Sequence, residues 1–188
     1  MRASVGVVAA CLAAAVGLAR AEPPALTDLK VVRKDAGYVA SCRLAGWLNA
    51  DLREEIAAGL ETSVGYRFQV YQRRGGLPDI LLAKRRVRCT VRHDALTRQY
   101  TLTRFIDGEL QDTRSVSEEP AMRDFMTVLE GIPLLPAGDL PPGHEFYLKA
   151  KSDIGLVWRF YLIPWPLDTA WARVPIGVTE GKGHGTQP

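Results

Sequence analysis

The chain has 188 residues, 47% of them hydrophobic, and a formal net charge of +3. That length suits one domain with a single real core, and so even a charge balance gives no general signal for nucleic acid. The three cysteines contain no Cys-x-x-Cys pair, which excludes a zinc knuckle and a thioredoxin-type redox site.

The N-terminus reads as a secretory leader. Arg2 is a minimal positive region, Val5 to Leu18 is almost all Ala, Val, Leu and Gly, and Ala19-Arg20-Ala21 puts small residues at both recognition positions of a signal peptidase. The apolar run falls short of the roughly 20 residues a spanning helix needs. Cleavage is expected after Ala21, with an uncleaved N-terminal membrane anchor as the alternative. Lipidation at Cys11 lacks room for an apolar stretch before it. The expected organisation is a signal peptide over 1–21, one β-rich domain over 22–176 and a Gly-rich flexible tail over 177–188. Export to the periplasm follows from the leader. Without Arg2 and Arg20, 22 basic residues face 21 acidic ones.

Leu29 to Arg33 and Tyr38 to Leu44 alternate around the turn Asp35-Ala36-Gly37, which predicts a hairpin that buries Cys42. A helix of about ten residues follows, capped by Asn49 or Asp51, with Leu48, Leu52, Ile56 and Leu60 as its apolar stripe. Val64, Tyr66, Phe68 and Val70 predict a strand with one apolar face. After the turn-rich Arg74 to Asp79, a second strand puts Leu81, Ala83, Val87, Cys89 and Val91 on one side. Lys84, Arg86, Arg88, Thr90 and Arg92 lie on the other, and Arg85 breaks the pattern at an expected bulge. Tyr100 to Phe105 returns the chain, Asp107-Gly108 turns it, and Glu109 to Val116 reads as an edge strand. Ser117 caps a second helix with Met122, Phe125, Met126 and Leu129 as its core stripe, ended by Gly131 and Pro133. Leu134 to Gly143 reads as a loop, Phe146 to Lys151 as a strand, and Ile154 to Leu167 as an aromatic segment interrupted by Pro164 and Pro166. The sum is an α+β fold: a mainly antiparallel, curved or sandwich-like sheet of about six or seven strands, with two helices packed on it.

Catalytic groups do not converge in the sequence. His93 beside Asp94 is a strand-end neighbour pair whose side chains diverge, and His144 stands at a loop–strand junction. No nucleophile elbow, metalloprotease motif or phosphate loop occurs, and neither a cofactor nor a metal is expected. Charge is the informative feature. Residues 67–104 hold ten Arg or Lys and two Asp, whereas 107–145 hold nine Asp or Glu and two Arg. Lys84, Arg86, Arg88 and Arg92 share one strand face over roughly 27 Å, and Arg67 and Arg73 are expected beside them. These six are candidates for binding an anion or a partner, unless Glu109, Asp112 and the acidic helix neutralise them from across the sheet. Trp158, Phe160 and Trp165 are candidates for an aromatic contact surface. Cys42 and Cys89 either pair as a disulfide in an oxidising compartment or pack as two reduced thiols.

The order of elements resembles an uncharacterised family of exported bacterial proteins, the domain of unknown function DUF4390. The resemblance rests on Gly59-Leu60 at a helix end, the strand Tyr66-Arg67-Phe68-Gln69-Val70 with Arg73-Arg74 after it, the run His93 to Tyr100, and the Trp-rich Ile163 to Trp171. It implies an envelope location and a single β-rich domain, and carries no activity, cofactor or catalytic residue. The functional expectation is therefore a non-enzymatic envelope binding or accessory module. A hydrolase assembled from scattered residues such as His93, Asp94 and His144, or a purely structural envelope component, are the alternatives. An envelope protein or anionic lipid is the expected class of partner, and nucleic acid is not.

Overall fold

Period-2 alternation governs most of the chain, and the computed structural model turns it into two antiparallel sheets. The structure describes residues 23–35, 37–159 and 163–177, with 155–159 and 163–167 as backbone pairing. The expected signal peptide, the tail beyond Gly177 and Phe160 lie outside the described residues. The smaller sheet has the order β1-β2-β7, from Ala25–Lys34, Gly37–Ala45 and Val128–Pro136. The larger has the order β10-β8-β3-β4-β5-β6, with β9 added beside β8. Its strands are β3 (Thr62–Gln72), β4 (Ile80–Asp94), β5 (Gln99–Ile106), β6 (Glu109–Val116), β8 (Phe146–Arg159), β9 (Ile163–Asp168) and β10 (Ala172–Ile176). Helices α1 (Ala50–Ala57) and α2 (Glu119–Thr127) complete the α+β fold. The class is as the alternation predicts, with more strands than six or seven because β7, β9 and β10 were not legible.

One face of the large sheet is covered and the other is open. Val64, Tyr66, Phe68 and Val70 of β3, Val87, Cys89 and Val91 of β4, and Leu102 of β5 are buried on the inner face. Against them lie Tyr38, Ala40, Cys42 and Leu44 of β2, Ile56 of α1, Met122, Phe125 and Met126 of α2, and Leu129, Ile132 and Leu134 of β7, all in one buried cluster. Two polar ties hold α2 there. The buried Tyr66 hydroxyl donates to the Met126 carbonyl at 2.6 Å, and Arg104 Nη2 donates to the Phe125 carbonyl at 2.7 Å. They satisfy carbonyls that the last turn of any helix leaves without intrahelical partners.

Local chemistry sets the helix ends. Asn49 caps α1, its side-chain oxygen accepting from Leu52 N at 2.8 Å. At the other end Gly59 has φ +79°, Leu60 N bonds Glu55 O and Gly59 N bonds Ile56 O. That is a Schellman stop, and it swings Leu60 out to 57% exposure rather than into the predicted stripe. The second helix departs further from expectation. Ser117 does not cap it, and it ends at Thr127 rather than Gly131. The chain passes straight into β7, where Gly131 (φ +66°) and Glu130 face the single Ser41 across a bulge. Pro133 and Pro136 are tolerated because, among the described residues, β7 pairs only with β2 and stands at a sheet edge. The first three residues of the expected 134–143 loop are therefore strand, followed by a 3-10 turn at Ala137–Asp139.

Candidate functional site

Cross-strand register places the basic residues on the open face. Arg67 of β3 stands between Arg86 of β4 and Lys151 of β8. Gln69 stands between Lys84 and Lys149, and Gly65 between Arg88 and Asp153. Arg92 continues the β4 column beside Thr101 of β5, and Arg173 of β10 pairs with Lys149. Directly paired residues project to the same side of a sheet. Eight cations from four strands therefore share the outer face: Arg67, Lys84, Arg86, Arg88, Arg92, Lys149, Lys151 and Arg173.

Two of the six predicted candidates are paired with acids. Arg67 makes a bidentate fork to Asp153, Nε to Oδ2 at 2.8 Å and Nη2 to Oδ1 at 2.6 Å. Arg73 bridges Glu145 at 3.1 Å. Lys84, Arg86, Arg88 and Arg92 have no carboxylate within bridging distance among the described residues, and Arg88 instead lies 5.0 Å over the Phe105 ring. Of the expected neutralisers, Glu109 pairs with Ile106 in the inner-face register of Val87, and the others meet different arginines. Glu119 of α2 takes Arg53, Asp124 lies 3.9 Å from Arg43, Asp107 takes Arg85, and Asp112 takes Arg114. Helix α2 packs on the inner face, so the sheet itself separates its carboxylates from the outer arginines.

Arg85 is not at a bulge. It pairs in register with Phe68, shares the inner-face parity of Val87, and reaches Pro133 O at 3.1 Å and Asp107 Oδ2 at 3.2 Å. The irregularity falls between Val70 and Tyr71, where Leu82 is the extra residue on β4. This reverses the parity beyond it. Leu81 pairs with Tyr71 and so joins the outer face, not the core as alternation suggested, and it is 37% exposed.

At that end of the face the rings of Tyr71 and Tyr147 stack at 5.4 Å. Arg173 lies 3.4 Å over the Tyr147 ring and Lys149 lies 5.2 Å over Tyr71. The Tyr147 hydroxyl donates to Asp79 Oδ2 at 2.5 Å, while Asp79 Oδ1 accepts from Arg74 N at 3.2 Å. These bonds, Tyr147 first, hold the Asp79 carboxyl below its ordinary range. A cleft of about 600 Å³ lies here between Arg73, His144, Glu145, Tyr147 and Arg173. A shallower groove of about 460 Å³ crosses Gly65 between Arg67, Arg86, Arg88 and Asp153.

The scattered hydrolase residues do not meet. His93 is near the far end of β4, its ring 4.7 Å from Tyr100, and Asp94 accepts from Leu96 N and Thr97 N in the turn. His144 precedes β8 at the end where β4 begins, since Phe146 pairs with Gln72 and Gln72 with Ile80. Thirteen strand positions, about 40 Å at 3.3 Å each, separate those ends. Cys42 and Cys89 are free, buried thiols. Burial, and then the proximity of Cys89, pushes Cys42 up to about 12. Trp158 and Trp165 fall on the β8–β9 pair, in register with Pro164 and Val157. Lys149, Lys151 and Arg173 were missed as site residues. The alternation Tyr147, Lys149, Lys151 marks the first two, and no sequence signal marks Arg173.

Residues 21–156 match the family model described as Domain of unknown function (DUF4390). The chain belongs to this family. The match covers the strands that carry Arg67 to Arg92, and it stops before the Trp-rich Ile163 to Trp171 that contributed to the resemblance. No curated protein and no solved structure matches the chain. Among the described residues no helix is long and apolar enough to cross a membrane.

Proposed function

We propose that this DUF4390 protein is a non-enzymatic binding module of the bacterial cell envelope, which takes an anionic partner on the outer face of its large sheet. One observation carries the reading: Lys84, Arg86, Arg88 and Arg92 form a column with no carboxylate partner among the described residues, while the acids of α2 and its neighbours are paired with other arginines. Un-neutralised guanidinium groups on a rigid surface attract anions at long range and form strong charge-assisted hydrogen bonds at contact. The leader-like N-terminus supports the envelope setting and disfavours nucleic acid as the partner.

Retention on an immobilised polyanion tests this. Arg86→Glu, Arg88→Glu and Arg92→Glu combined should abolish retention at physiological salt. Lys30→Glu, Lys34→Glu and Arg123→Glu combined change the net charge equally, away from that face, and should cost little. Equal losses in the two triple variants would reduce the effect to net charge and defeat the proposal.

A further inference from the structure

We infer that the anionic partner is a bilayer surface, and that the β3–β4 hairpin tip enters its interface. The inference rests on the binding reading above and adds to it the source of the anion and the docking mode.

The tip combines two features. Leu77 (61% exposed) stands in the connection, and Ile80, Leu81 and Leu82 follow at 37–38% exposure each. Four large apolar side chains within six residues are seldom left in water without a partner. The β4 bulge is what brings Leu81 onto the same face as Lys84 and Arg86, so apolar and cationic groups share one surface. Strand β5 pairs with β4 only over Val87–Asp94, so Ile80 to Arg85 run past it as a free sheet edge, backed by β3, β8 and β10. Lys149 and Arg173, held by their contacts with the Tyr71–Tyr147 stack, add cations on the same face in register with Lys84.

The tip is also ordered before it binds. Leu77 N bonds Arg74 O at 3.3 Å, and Arg74 Nε bonds Pro78 O at 3.1 Å. Asp79 ties the connection to Arg74 N and to the Tyr147 hydroxyl. Little conformational freedom is lost on docking. An apolar prow behind which a broad cationic face can settle fits a surface that offers hydrocarbon at its depth and phosphate above it. An acidic protein would complement the arginines and leave the four apolar side chains unexplained.

Co-sedimentation of the purified chain with vesicles tests this, using phosphatidylglycerol mixed with phosphatidylethanolamine, and phosphatidylcholine alone. Partitioning is expected onto the anionic vesicles and not the zwitterionic ones. Leu77→Ser, Leu81→Ser and Leu82→Ser combined should lower it at least tenfold while leaving polyanion retention unchanged. Each outer arginine reversed should lower it by about fivefold or more, from about 1 kcal/mol per cation near an anionic surface. Leu77→Trp, a surface change that leaves the core alone, should give fluorescence quenched by brominated acyl chains, beyond any quenching of the parent. Unchanged partitioning of the serine variant, or no added quenching in the Leu77→Trp variant, overturns tip insertion and leaves the basic-face reading standing. Polyanion retention without vesicle binding turns the assignment toward an acidic protein or soluble polyanion. Loss of neither property on arginine reversal defeats the underlying reading instead.

Discussion

Burial acts on Cys42 and leaves Arg86 alone, and both consequences are chemical. Cys42 is 3% exposed on β2, and its thiol stays protonated far above the ordinary range, to about 12. Its raised value makes it inert toward alkylation at pH 8, because the thiolate is the nucleophile. The linkage has a definite sign. Stability from the neutral buried thiol is fully present below the unfolded value of 9.0 and is lost as pH rises toward 12. The loss over that window is on the order of 4 kcal/mol, at about 1.4 kcal/mol per pH unit. Burial raises Tyr66 well above its ordinary value and adds to the loss in the same direction. Denaturant melts from pH 8 to 11 should show falling stability, with a shallower fall in Cys42→Ala. A flat profile in the parent would contradict the buried-thiol description. At this scale much was legible: alternate residues correctly place Val64, Tyr66, Phe68, Val87, Cys89 and Val91 inside, and Arg86, Arg88 and Arg92 outside. Leu60 was not legible, since the Schellman turn at Gly59 breaks the helical spacing one residue before it.

Among the elements, β4 decides the character of the site through one extra residue. Without the Leu82 bulge, the pairing on either side would form a continuous ladder, Leu81 with Tyr71, Ala83 with Val70 and Lys84 with Gln69. Deleting Leu82 should therefore keep the fold, at a cost on the order of 1 kcal/mol, or about 2–4 °C in melting temperature. Deleting Thr90 from the regular part should instead turn every later side chain to the wrong face and prevent stable folding. Circular dichroism melts of the two deletions check this, and similar losses in both would contradict the register. The bulge itself was misplaced in the sequence reading because Arg85 looked polar in an apolar series. Its guanidinium in fact reaches the core rim, where Pro133 O and Asp107 receive it. Strand β7 was illegible for a related reason. Gly131 and Pro133 normally punctuate, yet an edge position and a glycine bulge absorb both.

Across the whole molecule, the large sheet separates the outer column of β4 from the carboxylates of α2. The sequence shows two oppositely charged blocks and leaves open whether they cancel. Cancellation depends on which face α2 packs against, and that is a tertiary fact set by Met122, Phe125 and Met126 seeking the inner face. Once α2 is there, Glu119 meets Arg53 and Asp124 lies near Arg43, and the outer column is left to solvent. The outward direction of the arginines was thus legible, and their freedom from acids was not. The contributions of Lys149, Lys151 and Arg173 depend in turn on β8 and β10 being added beside β3. The aromatic candidates Trp158 and Trp165 remain a second candidate contact region, at positions beyond the matched family span.

The most direct test of the central claim is a residue-resolved map of where an anionic surface touches the chain. Amide chemical-shift changes on adding phosphatidylglycerol-containing bicelles should concentrate on Leu77 to Arg92 of the β3–β4 hairpin and on Tyr147 to Lys151 of β8. Amides of α1, α2 and β2 should stay in place. Changes centred on the helices and the small sheet, with β4 unmoved, would contradict the account.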